Sequence, residues 1–251
     1  MNLERVIAVR NSKTLYRDGM SKVIKVFDEN YSKVDVLNEA LNQSMVEGLE
    51  EVNVPKVYSV ETVDGKWAVV YEYIKGKTLS DLMAQNPDQL DEYLNLFVDL
   101  QLKMHSVKGI NLKKLKDKMN LKISQTDLDA TTRYELHTRL EGMPKHNKLC
   151  HGDFNPSNII IREDGTPFVI DWSHATQGNA SADVARTYLL FNLNNEKALG
   201  DKYLDSYCEK SGVAKKYIQS WLPIVAASQS VKGRIAEREM LLSWVSVVDY
   251  E

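Results

Sequence analysis

The strongest constraint on this chain is a stretch in which polar side chains are wedged between short apolar runs. It reads Leu149-Cys150-His151-Gly152-Asp153-Phe154-Asn155-Pro156-Ser157-Asn158, then Ile159-Ile160-Ile161, a break at Asp164-Gly165, and Phe168-Val169-Ile170-Asp171-Trp172. Apolar, β-favouring runs on either side of an Asp-Gly pair read as a hairpin, because that dipeptide accepts a left-handed turn. A hairpin returns its ends to one place, so Asn158 is expected near Asp171, with Asp153 five residues upstream on the entering loop. Two carboxylates and a carboxamide converging on a small volume make a set of hard oxygen donors. Such a set suits Mg2+, which keeps several waters and takes one or two carboxylates plus substrate phosphates.

The first quarter of the chain alternates β-rich runs with turn dipeptides: RVIAV, TLYR, Asp18-Gly19 and SKVIKVF. KVYSVETV and KWAVVYEYI flank a second turn at Asp64-Gly65. Between these halves Leu37, Leu41 and Met45 fall in i, i+4 register with Val36 and Ala40 beside them, which predicts one helix. The expectation is a five-stranded antiparallel sheet with one helix inserted after the third strand.

Past Gly76 the pattern turns helical. A helix is expected from Thr78 or Ser80 to a break at Pro87. The next repeats Leu90, Leu94, Val98 and Leu102, widened by Tyr93 and Phe97, and ends at His105. A further helix is expected over 126–141, and from Asp183 onward several more, broken at Gly200, Gly212 and Pro223. The lysines between Leu112 and Lys122 read as a solvated face. At 251 residues the chain fits one large domain or two intimate lobes, and the lobes are expected at 1–75 and 76–251. A formal charge of −3 shows no basic excess for nucleic acid, and no run approaches the ~20 apolar residues of a membrane span. Cys150 and Cys208 are too few for a disulfide framework or zinc site, and the N-terminus lacks a signal-peptide pattern, so a cytoplasmic protein is expected.

His-x-Asp-x4-Asn followed thirteen residues later by Asp resembles the catalytic pattern of the protein kinase-like superfamily. In the form HGDFNPSN with IDW it is similar to the aminoglycoside phosphotransferase and choline kinase branch. The resemblance implies an α+β, bilobal, kinase-like fold: a small five-stranded antiparallel lobe and a larger, mainly helical one. It implies a small-molecule kinase using ATP and Mg2+, with a nucleoside triphosphate and a hydroxyl-bearing small molecule as partners. By that resemblance Asp153 accepts or orients the acceptor's hydroxyl proton, and Asn158 and Asp171 hold the metal. Lys25 on the third strand holds the α- and β-phosphates, paired with Glu39 on the inserted helix. The Glu72 carbonyl and Ile74 amide contact adenine from the linker VVYEYIKGKTL. Asp183 braces the catalytic loop by accepting backbone hydrogen bonds. His151 has two readings, general base or structural member of the loop, and the family pattern favours the second.

Some features depart from that pattern. The first turn, Arg10-Asn11-Ser12-Lys13, lacks the glycines that let backbone amides approach phosphate, so Ser12 and nearby amides are expected to substitute. Gly152 stands where protein kinases carry Arg, and no Ala-Pro-Glu follows Asp171, which disfavours a protein substrate. For a cationic acceptor the candidate carboxylates are Asp205, Glu209, Glu237, Glu239, Asp249 and Glu251. The alternative from another class is a catalytically silent, nucleotide-binding kinase fold, against which stands the retention of Lys25, Asp153, Asn158 and Asp171 together. Metal-assisted hydrolysis fits less well, since no histidine ligands accompany the two carboxylates.

Overall fold

The computed structural model describes residues 3–10, 12–231 and 235–245 of the chain. Strands β1 (Arg5–Arg10), β2 (Lys13–Asp18), β3 (Lys22–Phe27), β4 (Val57–Val63) and β5 (Lys66–Glu72) form one antiparallel sheet in the order β1-β2-β3-β5-β4. Helix α1 (Lys33–Val46) follows the third strand, as expected. Both Asp-Gly pairs make the reversals, with Gly19, Asp64 and Gly65 at positive φ.

Side chains alternate along a strand, so the sheet has two distinct faces. Ile24 and Val26 of β3 pack with Ala68 and Val70 of β5, covered by Leu3, Tyr16 and Val63. On the other face Phe27, Val69 and Tyr71 pack on Val36 and Ala40 of α1. Lys25 alternates with Ile24 and Val26 and therefore shares the face of Phe27, toward α1. The helix is rotated from the orientation that its apolar residues suggest. Val36, Glu39, Ala40, Gln43 and Val46 are its buried residues, whereas Leu37 is 45% and Leu41 52% exposed. The reason is that two polar residues on the buried face have dedicated partners: Glu39 takes cations, and Gln43 donates to the Pro55 carbonyl at 2.8 Å.

The remaining strands are short: β6 (Gly76–Thr78), β7 (Lys148–Cys150), β8 (Ile159–Arg162), β9 (Pro167–Val169) and β10 (Thr176–Gly178). They form a three-stranded sheet, β6-β8-β9, and a separate pair, β10-β7. The helices are α2 (Leu79–Gln85), α3 (Leu90–Ser106), α4 (Leu115–Ser124), α5 (Ala130–Gly142), α6 (Ala180–Leu193), α7 (Lys197–Ser211), α8 (Lys215–Gln219), α9 (Leu222–Ser230) and α10 (Ile235–Val245). Packing divides the chain into Met1–Leu90 with Pro156–His174, and Asp91–Asn155 with Ala175–Glu251, a different division from a break after residue 75. The cause is strand pairing: β6 runs antiparallel to β8, so closely that a Cβ on Gly76 would fall 2.2 Å from the Ile161 carbonyl oxygen. Thr78 then caps α2, its hydroxyl accepting from the Asp81 amide at 3.0 Å, and the helix stops before Pro87.

The second unit is built on α3. Phe97 meets Phe154 at 4.6 Å between ring centroids and also contacts Tyr203 and Phe191. Gly200 does not break a helix there. It lies inside α7, where a Cβ would come within 2.9 Å of Phe191, so its smallness serves close helix packing. Gly212, at φ +70, does end α7 as a left-handed cap, and Pro223 sits in the first turn of α9 rather than interrupting a helix. Among the described residues no helix is long and apolar enough to cross a membrane, and both cysteines are free thiols.

Candidate active site

In the first unit the third strand and the inserted helix bring opposite charges together. Lys25 donates to Glu39 Oε1 at 2.5 Å and to Asp171 Oδ1 at 3.2 Å. Tyr71 donates its hydroxyl to the same Glu39 oxygen at 2.9 Å. Glu39 Oε2 receives a second ammonium, that of Lys13, at 3.1 Å. Lys25 and Glu39 are almost wholly buried, so each charge depends on its partners. Burial pulls the Lys25 ammonium down, but Asp171 and Glu39 outweigh it and hold Lys25 above its ordinary value. Burial likewise works against the Asp171 carboxylate, and Lys25 and then Lys13 override it, holding Asp171 well below the usual carboxylate range. Tyr71 is pushed well up, by burial first and then by Glu39.

The hairpin that carries Asp171 forms as its turn signal implies. Ile159 lies opposite Val169, and the Ile170 amide donates to the Asn158 carbonyl at 2.9 Å, which sets Asn158 beside the residue preceding Asp171. Asn158 is 1% exposed. Asp171 has φ +63, a left-handed conformation disfavoured for a residue with a Cβ, and is held by Lys25 and by the Ser173 hydroxyl at 3.0 Å. Lys25, Glu39, Asn158 and Asp171 all line a largely apolar cavity of this unit, whose greasy walls include Leu15, Val23 and Ile160. Glu72 and Ile74 line it too. The linker is pinned there by backbone bonds from the Glu72 amide to the Lys56 carbonyl and from the Tyr73 amide to the Ser21 carbonyl. Ser12 is not brought to these walls: it sits in the β1–β2 turn, its carbonyl accepting from the Asp28 amide at 3.0 Å. Asn11 lies outside the described residues.

In the second unit one face of α6 holds the loop 151–154. Asp183 accepts from the His151 amide at 3.0 Å and the Gly152 amide at 2.7 Å. Arg186 reaches Asp153 Oδ1 and the Gly152 carbonyl, each at 3.4 Å, and Thr187 donates to the Phe154 carbonyl at 2.8 Å. Positions i, i+3 and i+4 of a helix share a face, which is why these three act on one short loop. The Asp183 carboxylate is itself bonded to His105 Nε2 at 3.1 Å, and His105 Nδ1 to the Tyr207 hydroxyl at 2.9 Å. Burial opposes the Asp183 charge, but bonding to His105 and the loop amides keeps its carboxyl below its ordinary value. His151 is fully buried, edge-on to Phe154, and its Nδ1 accepts from the Asp153 amide at 3.2 Å. Asp153 is 27% exposed.

The sequence assigns no role in the site to Lys13, Tyr71, Ser173, His105, Arg186 or Thr187. Lys13 had one available signal: it shares a strand face with Leu15, which lies opposite Lys25. His105 carries none beyond ending its helix. Of the acidic candidates for an acceptor pocket, Asp205 pairs with Lys215 at 2.5 Å and Glu237 acts electrostatically on Arg186. Asp249 and Glu251 lie outside the described residues.

Residues 9–217 match the sequence model of the Phosphotransferase enzyme family, APH. No curated protein sequence matches the chain. Among solved structures, a thermostable mutant of aminoglycoside phosphotransferase APH(4)-Ia in ternary complex with AMP-PNP and hygromycin B superposes with a TM-score of 0.71 at 16% identity, covering 96% of this chain and 89% of that one. Choline kinase LicA from Streptococcus pneumoniae gives 0.65 at 16% identity, over 98% and 93%. A GDP complex of an aminoglycoside 2'-phosphotransferase-IIIa mutant gives 0.61 at 17% identity, over 97% and 89%. These likenesses show a kinase-like α+β fold.

Proposed function

Because the chain belongs to the phosphotransferase enzyme family, we propose that it is an ATP- and Mg2+-dependent kinase that phosphorylates a hydroxyl of a small molecule, of the aminoglycoside, amino alcohol or sugar-like kind. The observation that carries this reading is the buried Lys25–Glu39–Asp171 network on the wall of an apolar cavity. A cation fixed by two carboxylates next to a greasy slot has the chemistry of a nucleotide site: a flat base for the slot, phosphates for the ammonium. Two of the structural neighbours are complexes with AMP-PNP and GDP, and one also holds a small acceptor, hygromycin B, in agreement with a nucleotide and a small-molecule acceptor.

The residue roles follow from phosphoryl transfer, where catalysis is mostly positioning and charge neutralisation. Lys25 holds the α- and β-phosphates, and Glu39 keeps its ammonium from swinging away. The Glu72 carbonyl and Ile74 amide meet the edge of the adenine. The donor set fits Mg2+: a carboxylate kept ionised at Asp171 and the amide oxygen of Asn158 are hard oxygen ligands. Magnesium, when bound, offsets the charge of the polyphosphate. Asp153 orients the acceptor hydroxyl and takes its proton. His151, with Nδ1 already accepting from a backbone amide and its ring packed on Phe154, serves the loop rather than the proton. Asp183 holds the loop through the His151 and Gly152 amides.

Turnover of ATP against a panel of aminoglycosides, amino alcohols and sugars tests the reading. Asp153→Asn is expected to lower kcat by roughly 10²–10⁴, with the Kd for ATP unchanged. Equal turnover by the variant removes Asp153 from its role. No turnover of any acceptor by a wild type that binds ATP favours the silent module instead.

A further inference from the structure

We propose that Lys13 is a second phosphate ligand of the nucleotide site, supplying a side-chain contact next to a first turn that carries no glycine. The proposal rests on the nucleotide reading above and concerns a residue that reading does not use. Arg10-Asn11-Ser12-Lys13 carries none of the glycines that ease the close approach of backbone amides to phosphate, which leaves room for a side-chain donor here.

Lys13 is built as such a donor. It opens β2 on the face of Leu15, which lines the cavity opposite Lys25. Two residues along a strand is about 7 Å, so Lys13 stands one step beyond the apolar wall. Its ammonium is 5.4 Å from the ring centroids of both Phe27 and Tyr31, which confine it. Only 17% of its side chain is exposed.

The unequal pairing of the two ammoniums also points to an anion. Glu39 is served on Oε1 by Lys25 and Tyr71, yet Oε2 draws in a second ammonium from a buried position. Burial, and then repulsion from Lys25, lower the Lys13 ammonium, and Glu39 and Asp171 only partly oppose them. Lys13 thus acts on Asp171 through space, as Lys25 does by contact. Lys13, desolvated and sharing Glu39 with Lys25, is the less well paired of the two cations and gains a partner when a polyphosphate joins them.

Calorimetric titration with ADP, ATP and adenosine, all with Mg2+ at one ionic strength, tests this on wild type, Lys13→Gln and Lys13→Arg. Lys13→Gln is expected to weaken ADP and ATP by about tenfold and adenosine by less than about twofold, with Lys13→Arg recovering most of the loss. A second measurement needs no variant: in the wild type, ADP is expected to protect Lys13 from amine acylation, read by mass spectrometry, and adenosine is not. Equal weakening of adenosine and ADP, unchanged ADP affinity, or equal protection by both ligands overturns the proposal. If the wild type binds none of the three, the nucleotide reading falls and this one with it. Normal wild-type binding with an indifferent Lys13 removes only this one.

Discussion

In the first unit the candidate groups are held by formal charge, whereas in the second they are held mainly by hydrogen bonds to the backbone. Lys13, Lys25, Glu39 and Asp171 bring two cations and two carboxylates into one buried cluster. The loop 151–154 is held at its amides and carbonyls by Asp183, Arg186 and Thr187. The difference teaches which variants should injure binding and which should injure the fold. A balanced ionic cluster can lose one member to a ligand's charge and re-form. A buried carboxylate that satisfies two amides and a histidine has no substitute when it is removed.

The largest expected effect is on binding. Asp171→Ala should weaken Mg2+-dependent nucleotide binding by at least about a hundredfold, or ~2.7 kcal/mol, while moving Tm less than the loss of Asp183 does, since Lys25 keeps Glu39 as its partner. Calorimetry alongside thermal unfolding checks both halves, and retained Mg2+-dependent binding would refute the metal assignment. Asp183→Ala should do the reverse. Leaving the loop amides and His105 without their acceptor costs about 3 kcal/mol, or roughly a 10 °C fall in Tm, with nucleotide affinity largely kept.

The same carboxylate gives the comparison a pH axis. The folded pKa of Asp183 lies below its unfolded value, so its contribution to stability is complete above about pH 4 and is lost as acid approaches the folded value. Urea unfolding between pH 5 and pH 2.5 should show Asp183→Asn with a flatter acid limb than the wild type. Identical limbs would mean that the charge of Asp183 is not what holds the loop. The smallest effect concerns α1: Val36→Ala should cost about 2 kcal/mol, and Leu37→Lys less than about 0.5. Comparable losses at the two positions would contradict the helix orientation.

Much of the fold was legible because its signals are local. Asp-Gly pairs, alternating runs and the cap at Thr78 act within a few residues, and the sheet, the inserted helix and the α2 boundary followed from them. The orientation of α1 did not. Apolar counting favours Leu37 and Leu41, and only the cations waiting on the sheet make Glu39 a buried residue. Gly200 misled for a similar reason, since a glycine that ends helices elsewhere is here the space that lets α7 approach Phe191. The division into units turned on β6 pairing with β8, a contact between segments more than eighty positions apart.

The order of residue types along the chain, His151-Gly152-Asp153 through Asn158 to Asp171 and Lys25 before Glu39, was enough to set the chemistry expected and the family that matched it. The resemblance already pairs Lys25 with Glu39, and only the tertiary structure decided which further charges meet them. Lys25 finds Glu39 fourteen positions away and Asp171 one hundred and forty-six away, and Lys13 joins them from another strand. A buried charge is tolerated or forbidden according to partners that arrive from distant segments, and no pattern of neighbours along the chain records that energy.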